Sequence, residues 1–169
     1  MKIYFIHPGE NDGNSLTDNG IWQLNMLVNR LVIDRFRADR IYANGHDVSR
    51  QSAGILARSL GIPIFHDERF VEVKKSVIEG NFTESDVENL EYINMFVDEV
   101  VKNGKDSVIA LGDGIHRAVI SRLTGMPLHS TRHFSLWPGS ISVLQRQDIG
   151  STGVWRMTSV NDTNHLRAP

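Results

Sequence analysis

The sequence predicts an α/β domain, a three-layer sandwich whose central sheet is mostly parallel. Short apolar runs alternate along the chain with longer stretches in which apolar residues recur at three- and four-residue spacing. The run Ser107–Leu111 is almost wholly apolar, which is typical of a central strand covered by helices on both faces. This alternation of strands and amphipathic helices favours a layered α/β architecture over an all-helical or all-strand one.

The amino-terminal third predicts two strands with a helix between them. Lys2–Ile6 is the first strand, and a polar loop from Pro8 to Ser15 follows it. Thr17 is expected to cap the helix, and Arg40–Ala43 forms the second strand. The helix should pack its apolar face on the sheet. That face is formed by Ile21, Leu24, Leu27, Val28 and Leu31.

The middle of the chain predicts two more helices. One carries Ala53, Leu56, Ala57 and Leu60 on one side. It ends at Gly61 and Pro63, and the strand Ile62–Phe65 follows. Thr83 and Asp86 match a capping box for a helix that ends at Gly104. Its apolar positions are Leu90, Ile93, Val97 and Val100.

After the central strand, the turn Gly112-Asp113-Gly114 leads into a further helix. Ser140–Arg146 and Val154–Val160, separated by Gly150 and Gly153, predict a closing hairpin. Open α/β sheets bind ligands at the carboxyl ends of their strands, so a ligand is expected near the glycine turn.

Composition limits the classes of function. A length of 169 residues predicts one domain, 1–169, and the formal net charge of −2 gives no positive field for nucleic acid or an anionic membrane. Cysteine is absent, which excludes disulfides and a cysteine nucleophile and is consistent with the cytoplasm. The apolar start is too short for a membrane span, so no membrane association is expected.

Six segments, in order along nearly the whole chain, resemble the histidine phosphatase (phosphoglycerate mutase-like) superfamily, and most closely its smaller branch. His7-Pro8-Gly9-Glu10 stands where that family has Arg-His-Gly-Glu. The other similar segments are Leu16–Gly20, Ile41–Ala43 with Arg50–Ala53, Asp67–Val73 with Glu79-Gly80, Val108–Ala118 and Asn161–Leu166.

The resemblance implies a phosphohistidine mechanism that this sequence departs from. In the family a histidine attacks phosphorus, two arginines and a second histidine hold the phosphoryl oxygens, and an acid protonates the leaving oxygen. Here Pro8 occupies the nucleophile position, and proline has no ring lone pair to attack with.

The phosphate-binding positions also differ. His7 stands at the first arginine, Val48 at the second, and Gly112 at the second histidine, or Asp113 with a one-residue shift. Arg50 lies two residues past Val48, about 200° around a helix, so it does not replace the lost arginine. Glu72 matches the acid position.

The sequence therefore predicts a pseudophosphatase that binds a small anionic molecule or a protein partner, with no cofactor and no metal. The alternative is an enzyme of altered chemistry, or a residual phosphatase, that uses His7, His116, Glu72 or Asp113 as catalytic residues. The candidate ligand-binding residues are His7, Gly9, Glu10, His46, Arg50, Gly112, Asp113 and Arg117.

Three further interpretations stay open. His7, His46, Asp113 and His116 offer nitrogen and oxygen ligands for a metal site, although none has the short helical spacing of such sites. His116 either reaches the pocket or is a satisfied histidine at a helix start. The aromatic stretch from His129 to Trp137 either lines a cleft or homodimer contact, or packs under the sheet.

Overall fold

A computed structural model describes residues 1–149 and 152–167. Six strands form one sheet in the order β3-β2-β4-β1-β5-β6. The strands are β1 (Lys2–Ile6), β2 (Arg40–Ala43), β3 (Ile64–His66), β4 (Ser107–Ile109), β5 (Ile141–Ile149) and β6 (Thr152–Asp162). The first four run parallel to one another, and β5 pairs antiparallel with both β1 and β6. The predicted mostly parallel α/β sandwich is confirmed.

Helices cover both faces of the sheet. They are α1 (Asp18–Ile33), α2 (Asp47–Leu60), α3 (Lys75–Ile78), α4 (Glu84–Asn103) and α5 (Asp113–Thr124), with 3-10 turns at Leu128–His133 and Asn164–Leu166. Helices α1 and α2 pack on one face and α4 and α5 on the other, which gives two apolar clusters. Neighbouring strand residues alternate between the clusters: Val108 and Ala110 belong to one, Ile109 and Leu111 to the other.

The predicted helix ends lie where the capping residues placed them. Thr17 accepts a hydrogen bond from the Gly20 amide at the start of α1, and Thr83 with Asp86 forms the capping box of α4. Gly61 ends α2 in the left-handed conformation, with φ of 68°, which glycine adopts without strain. Local sequence chemistry therefore sets these boundaries.

Several predicted strand limits were wrong. β3 begins at Ile64 rather than Ile62, and β4 ends at Ile109 because the Leu111 amide turns towards the His116 ring, 3.4 Å away. Gly153 lies inside β6 rather than between the strands, and Gly150 lies outside the described residues. The predictions missed α3 and both 3-10 turns, which are too short to show a helical period.

One position that was predicted to lie in the core is exposed. Ile21 was expected on the packed face of α1, yet it is 41% exposed because it lies at the edge of that apolar face. No helix within the described ranges is long and apolar enough to cross a membrane.

Candidate functional site

A cavity of about 350 Å³ opens at the carboxyl edge of the parallel strands. Because β1, β4 and β2 are parallel neighbours, the residues that follow them meet at one edge of the sheet. His7 follows β1, Asn44 follows β2, and Gly112 lies just beyond β4. The cavity is lined by His7, Pro8, Asn11, Gly13, Asn14, Asn44, His46, Asp47, Val48, Ser49, Glu72 and Gly112.

The positions that the family resemblance assigned to phosphate chemistry converge on this cavity. Pro8, Val48, Gly112 and Glu72 come from four separate segments, and all four line it. A Cβ added to Gly112 would lie 3.1 Å from Glu72 Oε2, so the second-histidine position and the acid position are in direct contact. Three of these four positions carry no charged side chain and no nucleophile.

Buried hydrogen bonds fix the walls of the cavity. The Asn44 side-chain amide donates to the Phe70 carbonyl at 3.1 Å, and its oxygen accepts from the His46 amide at 3.3 Å. The Ser49 hydroxyl donates to the Ala110 carbonyl at 2.6 Å, which joins the start of α2 to the residue that follows β4. Sequence reasoning missed Asn44 and Ser49. The place of Asn44 directly after a parallel strand was the available signal.

His7 is held as a neutral ring without an open nitrogen. Its Nδ1 lies 3.2 Å from the Pro8 carbonyl, which can only accept, so Nδ1 carries the proton. Nε2 is buried and has no hydrogen-bond partner among the described residues. Burial, the largest effect, lowers the pKa of His7. His7 thus lines the cavity but presents neither a positive charge nor an accessible lone pair.

His116 lies in the core rather than on the cavity wall. It sits in α5 at 1% exposure, with Nε2 3.1 Å from the Ile109 carbonyl. Its ring packs edge-on against Phe5 and His7, with centroid distances of 5.3 and 6.0 Å. Burial lowers its pKa to about 3, so the ring is neutral at ordinary pH. Of the two interpretations of His116, the structure supports the packed one.

Asp113 and Arg117 are paired with each other. The Arg117 guanidinium donates to both Asp113 oxygens, at 2.7 and 2.9 Å. It also donates to the carbonyls of Thr131 and Phe134. These bonds join α5 to the 3-10 turn Leu128–His133 and to the residue that follows it. Asp113 and Arg117 do not line the candidate cavity. They line an adjoining hollow of about 370 Å³, and Glu72 lines both the hollow and the cavity. Arg117 therefore has no spare donor aimed at the candidate site.

Arg50 points away from the cavity, as its helical position requires. It is exposed, pairs with Asp47 at 2.6 Å, and lines a separate hollow between α1 and α2. Among the described residues that line the cavity there is consequently no lysine and no arginine. The expected ligand-binding residue Arg50 is not brought to the site.

Gly9 and Glu10 stabilise the fold instead of lining the cavity. A Cβ on Gly20 would overlap the Glu10 carbonyl, so the loop after β1 and the start of α1 pack backbone against backbone. The Glu10 carboxylate accepts hydrogen bonds from Thr17 at 2.9 Å and from Asn19 at 3.0 Å. The motif residues that match the family are thus occupied in holding the first loop to α1.

Two carboxylic acids line the cavity, and Glu72 is the one without an arginine partner. Partial burial raises the pKa of Glu72, nearby His46 lowers it, and Asp113 raises it. His46 also lines the cavity and is exposed. Within residues 1–149 and 152–167, no three His, Cys, Asp or Glu side chains come together as a metal site would require.

Comparison with known proteins finds similarity in three-dimensional structure but none in sequence families. No protein-family model matches the sequence, and no curated protein matches it either. Solved structures, by contrast, are similar to this chain over nearly their whole lengths. A phosphoserine phosphatase mutant from Entamoeba histolytica, solved with phosphoserine, has a TM-score of 0.73 at 19% identity, over 98% of this chain and 99% of that one.

Two further similar structures are less similar to this chain in sequence. Mycobacterial glucosyl-3-phosphoglycerate phosphatase has a TM-score of 0.72 at 14% identity, over 95% of this chain and 98% of that chain. Bacillus stearothermophilus YhfR has a TM-score of 0.77 at 15% identity, over 98% and 99% of the two chains. At these identities the comparisons establish the architecture of the chain.

Proposed function

We propose that this chain, which has the phosphoglycerate mutase-like fold of the histidine phosphatases, is a pseudophosphatase that binds a ligand or a protein partner through its altered cavity. The observation that carries the proposal is the convergence of Pro8, Val48 and Gly112 on the wall of one cavity. These are the positions where the resemblance places the nucleophile, the second arginine and the second histidine. The scaffold of the site is present, and its phosphoryl chemistry is absent.

The charge of the cavity determines whether it can bind a phosphate ester. A phosphate monoester brings between one and two negative charges at neutral pH, and phosphoryl transfer needs cationic donors for charge on the transferring oxygens. Charge-assisted hydrogen bonds contribute about 1.5–3 kcal/mol each. The cavity supplies no lysine or arginine from the described residues, and His7 is neutral, so neither tight phosphate binding nor a covalent route is expected.

Neither histidine ring near Pro8 can replace the nucleophile that the resemblance places at that position. His7 Nδ1 is bonded to the Pro8 carbonyl, and Nε2 is enclosed by protein. His116 lies in the core. The proposal accordingly assigns neither ring a covalent role. A cytoplasmic location is part of the proposal and is supported by the absence of cysteine.

The direct test is turnover. Purified protein is incubated with p-nitrophenyl phosphate, phosphoserine and phosphohistidine, and released phosphate is measured. We expect release no faster than in buffer. Release that disappears in the His7→Ala or His46→Ala protein would defeat the proposal.

The second candidate is an enzyme of altered chemistry with Glu72 as the proton donor. The favouring observation is that Glu72 lines the cavity and that its pKa is raised, as a general acid requires. This candidate predicts turnover of some unphosphorylated substrate that Glu72→Gln abolishes. The pseudophosphatase proposal predicts that Glu72→Gln changes binding alone.

A further inference from the structure

The unpaired groups of the cavity determine which ligand it can hold. Asp47 is paired with Arg50 at 2.6 Å, and Asp113 beside the cavity is held by Arg117. Glu72 has neither an ion pair nor a hydrogen bond to any of the described residues. Among the two carboxylates on the wall, Glu72 is therefore the one that no arginine pairs with.

The two helix ends at the cavity do not reverse this sign. Helices α2 and α5 begin there, and the partial positive charge of a helix amino terminus is about half an elementary charge. Asp47 and Asp113, in the first turns of these helices, are already paired with Arg50 and Arg117, so they do not offset the helix ends. Together the two ends carry about one elementary charge, which at most balances the carboxylate of Glu72 and does not exceed it. No lysine or arginine among the described residues lines the cavity to favour an added anion.

His7 contributes no donor to the cavity. Its protonated nitrogen is Nδ1, which is bonded to the Pro8 carbonyl, and Nε2 is enclosed by protein. The Asn11 amide is also occupied, because it donates to the Gly9 carbonyl at 3.1 Å and its oxygen accepts from the Gly13 amide. The Glu72 carboxylate is thus the strongest hydrogen-bonding group left unpaired among the described residues of the wall. A carboxylate accepts hydrogen bonds, so the ligand must supply the donor.

We propose that the cavity binds a small polar molecule that carries a protonated amino group, with that group on the Glu72 carboxylate. A volume of about 350 Å³ accommodates a ligand of roughly a dozen non-hydrogen atoms, taking ~30 Å³ for each water-sized group. This reverses the anionic charge expected of the ligand from the sequence. The inference rests on the proposed function, since it concerns a cavity that has lost phosphate binding.

The test uses three probes that share one ring and differ in charge: glucosamine, glucose and glucose 6-phosphate. Binding to the full-length ¹⁵N-labelled protein is followed by the backbone amide shifts of Gly112 and His46, both on the cavity wall. Free phosphate is measured in the same samples. The Glu72→Gln protein is compared with Glu91→Gln, which removes the same charge from an exposed position on α4.

We expect glucosamine to bind about fivefold more tightly than glucose, since Glu72 is partly open to solvent, and glucose 6-phosphate to bind most weakly. Glu72→Gln should remove the preference for glucosamine, and Glu91→Gln should leave it unchanged. Tightest binding of glucose 6-phosphate without phosphate release would overturn this inference and leave the pseudophosphatase proposal standing. Unchanged Gly112 and His46 shifts with all three probes would also overturn it. Release of phosphate would overturn the proposed function instead.

Discussion

Introducing the side chains that the family resemblance expects at residues 48 and 112 should give the cavity affinity for phosphate. In the Val48→Arg/Gly112→His protein, a guanidinium and an imidazole project from two positions that both line the cavity. The backbone tolerates the change at residue 112, because the new Cβ meets only the flexible tip of Glu72, 3.1 Å away.

The size of the effect follows from the number of contacts. Two charge-assisted hydrogen bonds at about 1.5–3 kcal/mol each give about 3–6 kcal/mol in total. That corresponds to roughly a 10²- to 10⁴-fold lower Kd for inorganic phosphate than in the original protein. Repulsion from Glu72 reduces the gain, so the lower end of this range is the expected result at pH 7.

Titration calorimetry with inorganic phosphate measures the change. The control protein is Val32→Arg/Gly54→His, which makes the same two exchanges outside the cavity, at an exposed residue of α1 and at a glycine of α2 with no atom within 4 Å of an added Cβ. Adding Pro8→His to the cavity variant then tests whether a phosphohistidine forms. If the double variant keeps its thermal stability yet binds phosphate no better than the control, this cavity is not the displaced phosphate site.

Three more predictions concern the scaffold. Gly20→Ala should lower the free energy of unfolding in urea by about 1–3 kcal/mol, because the new Cβ overlaps the Glu10 carbonyl. Thr83→Ala should lower it by about 1 kcal/mol, because Asp86 then loses its capping-box partner. His116 has a folded pKa of about 3, below its unfolded value, so the unfolded state binds a proton first as the pH falls. Stability should therefore decline below pH ~6.5, by up to ~1.4 kcal/mol per pH unit from this residue, and His116→Gln should flatten that slope.

Each of these three predictions has a matched control variant. Gly54→Ala, also within a helix but with open space around the Cβ, should stabilise the protein by about 0.5–1 kcal/mol. Ser85→Ala, next to the cap of α4, should change stability by less than Thr83→Ala. His129→Gln, at an exposed histidine, should leave the pH slope unchanged. Equal effects in a variant and its control would contradict the corresponding structural reason.

Much of the fold could be predicted from local chemistry. The limits of β1 and β2 and the caps at Thr17, Thr83 and Gly61 are set by nearest-neighbour interactions, which the sequence displays directly. The end of β4 could not be predicted, because it depends on the Leu111 amide turning to the His116 ring, five residues away on another element. The exposure of Ile21 likewise depends on tertiary packing, because it lines a hollow between α1 and α2 that the sequence does not display.

By itself the sequence determined the order of strands and helices, and it placed proline, valine and glycine at the positions where the family resemblance expects reactive or cationic side chains. Only the tertiary structure decided that these positions share one cavity, that Arg50 and Arg117 are paired elsewhere, and that His116 is enclosed in the core. The reason is physical. Residue type is local, whereas the charge, burial and accessibility of a side chain depend on partners brought together from distant parts of the chain.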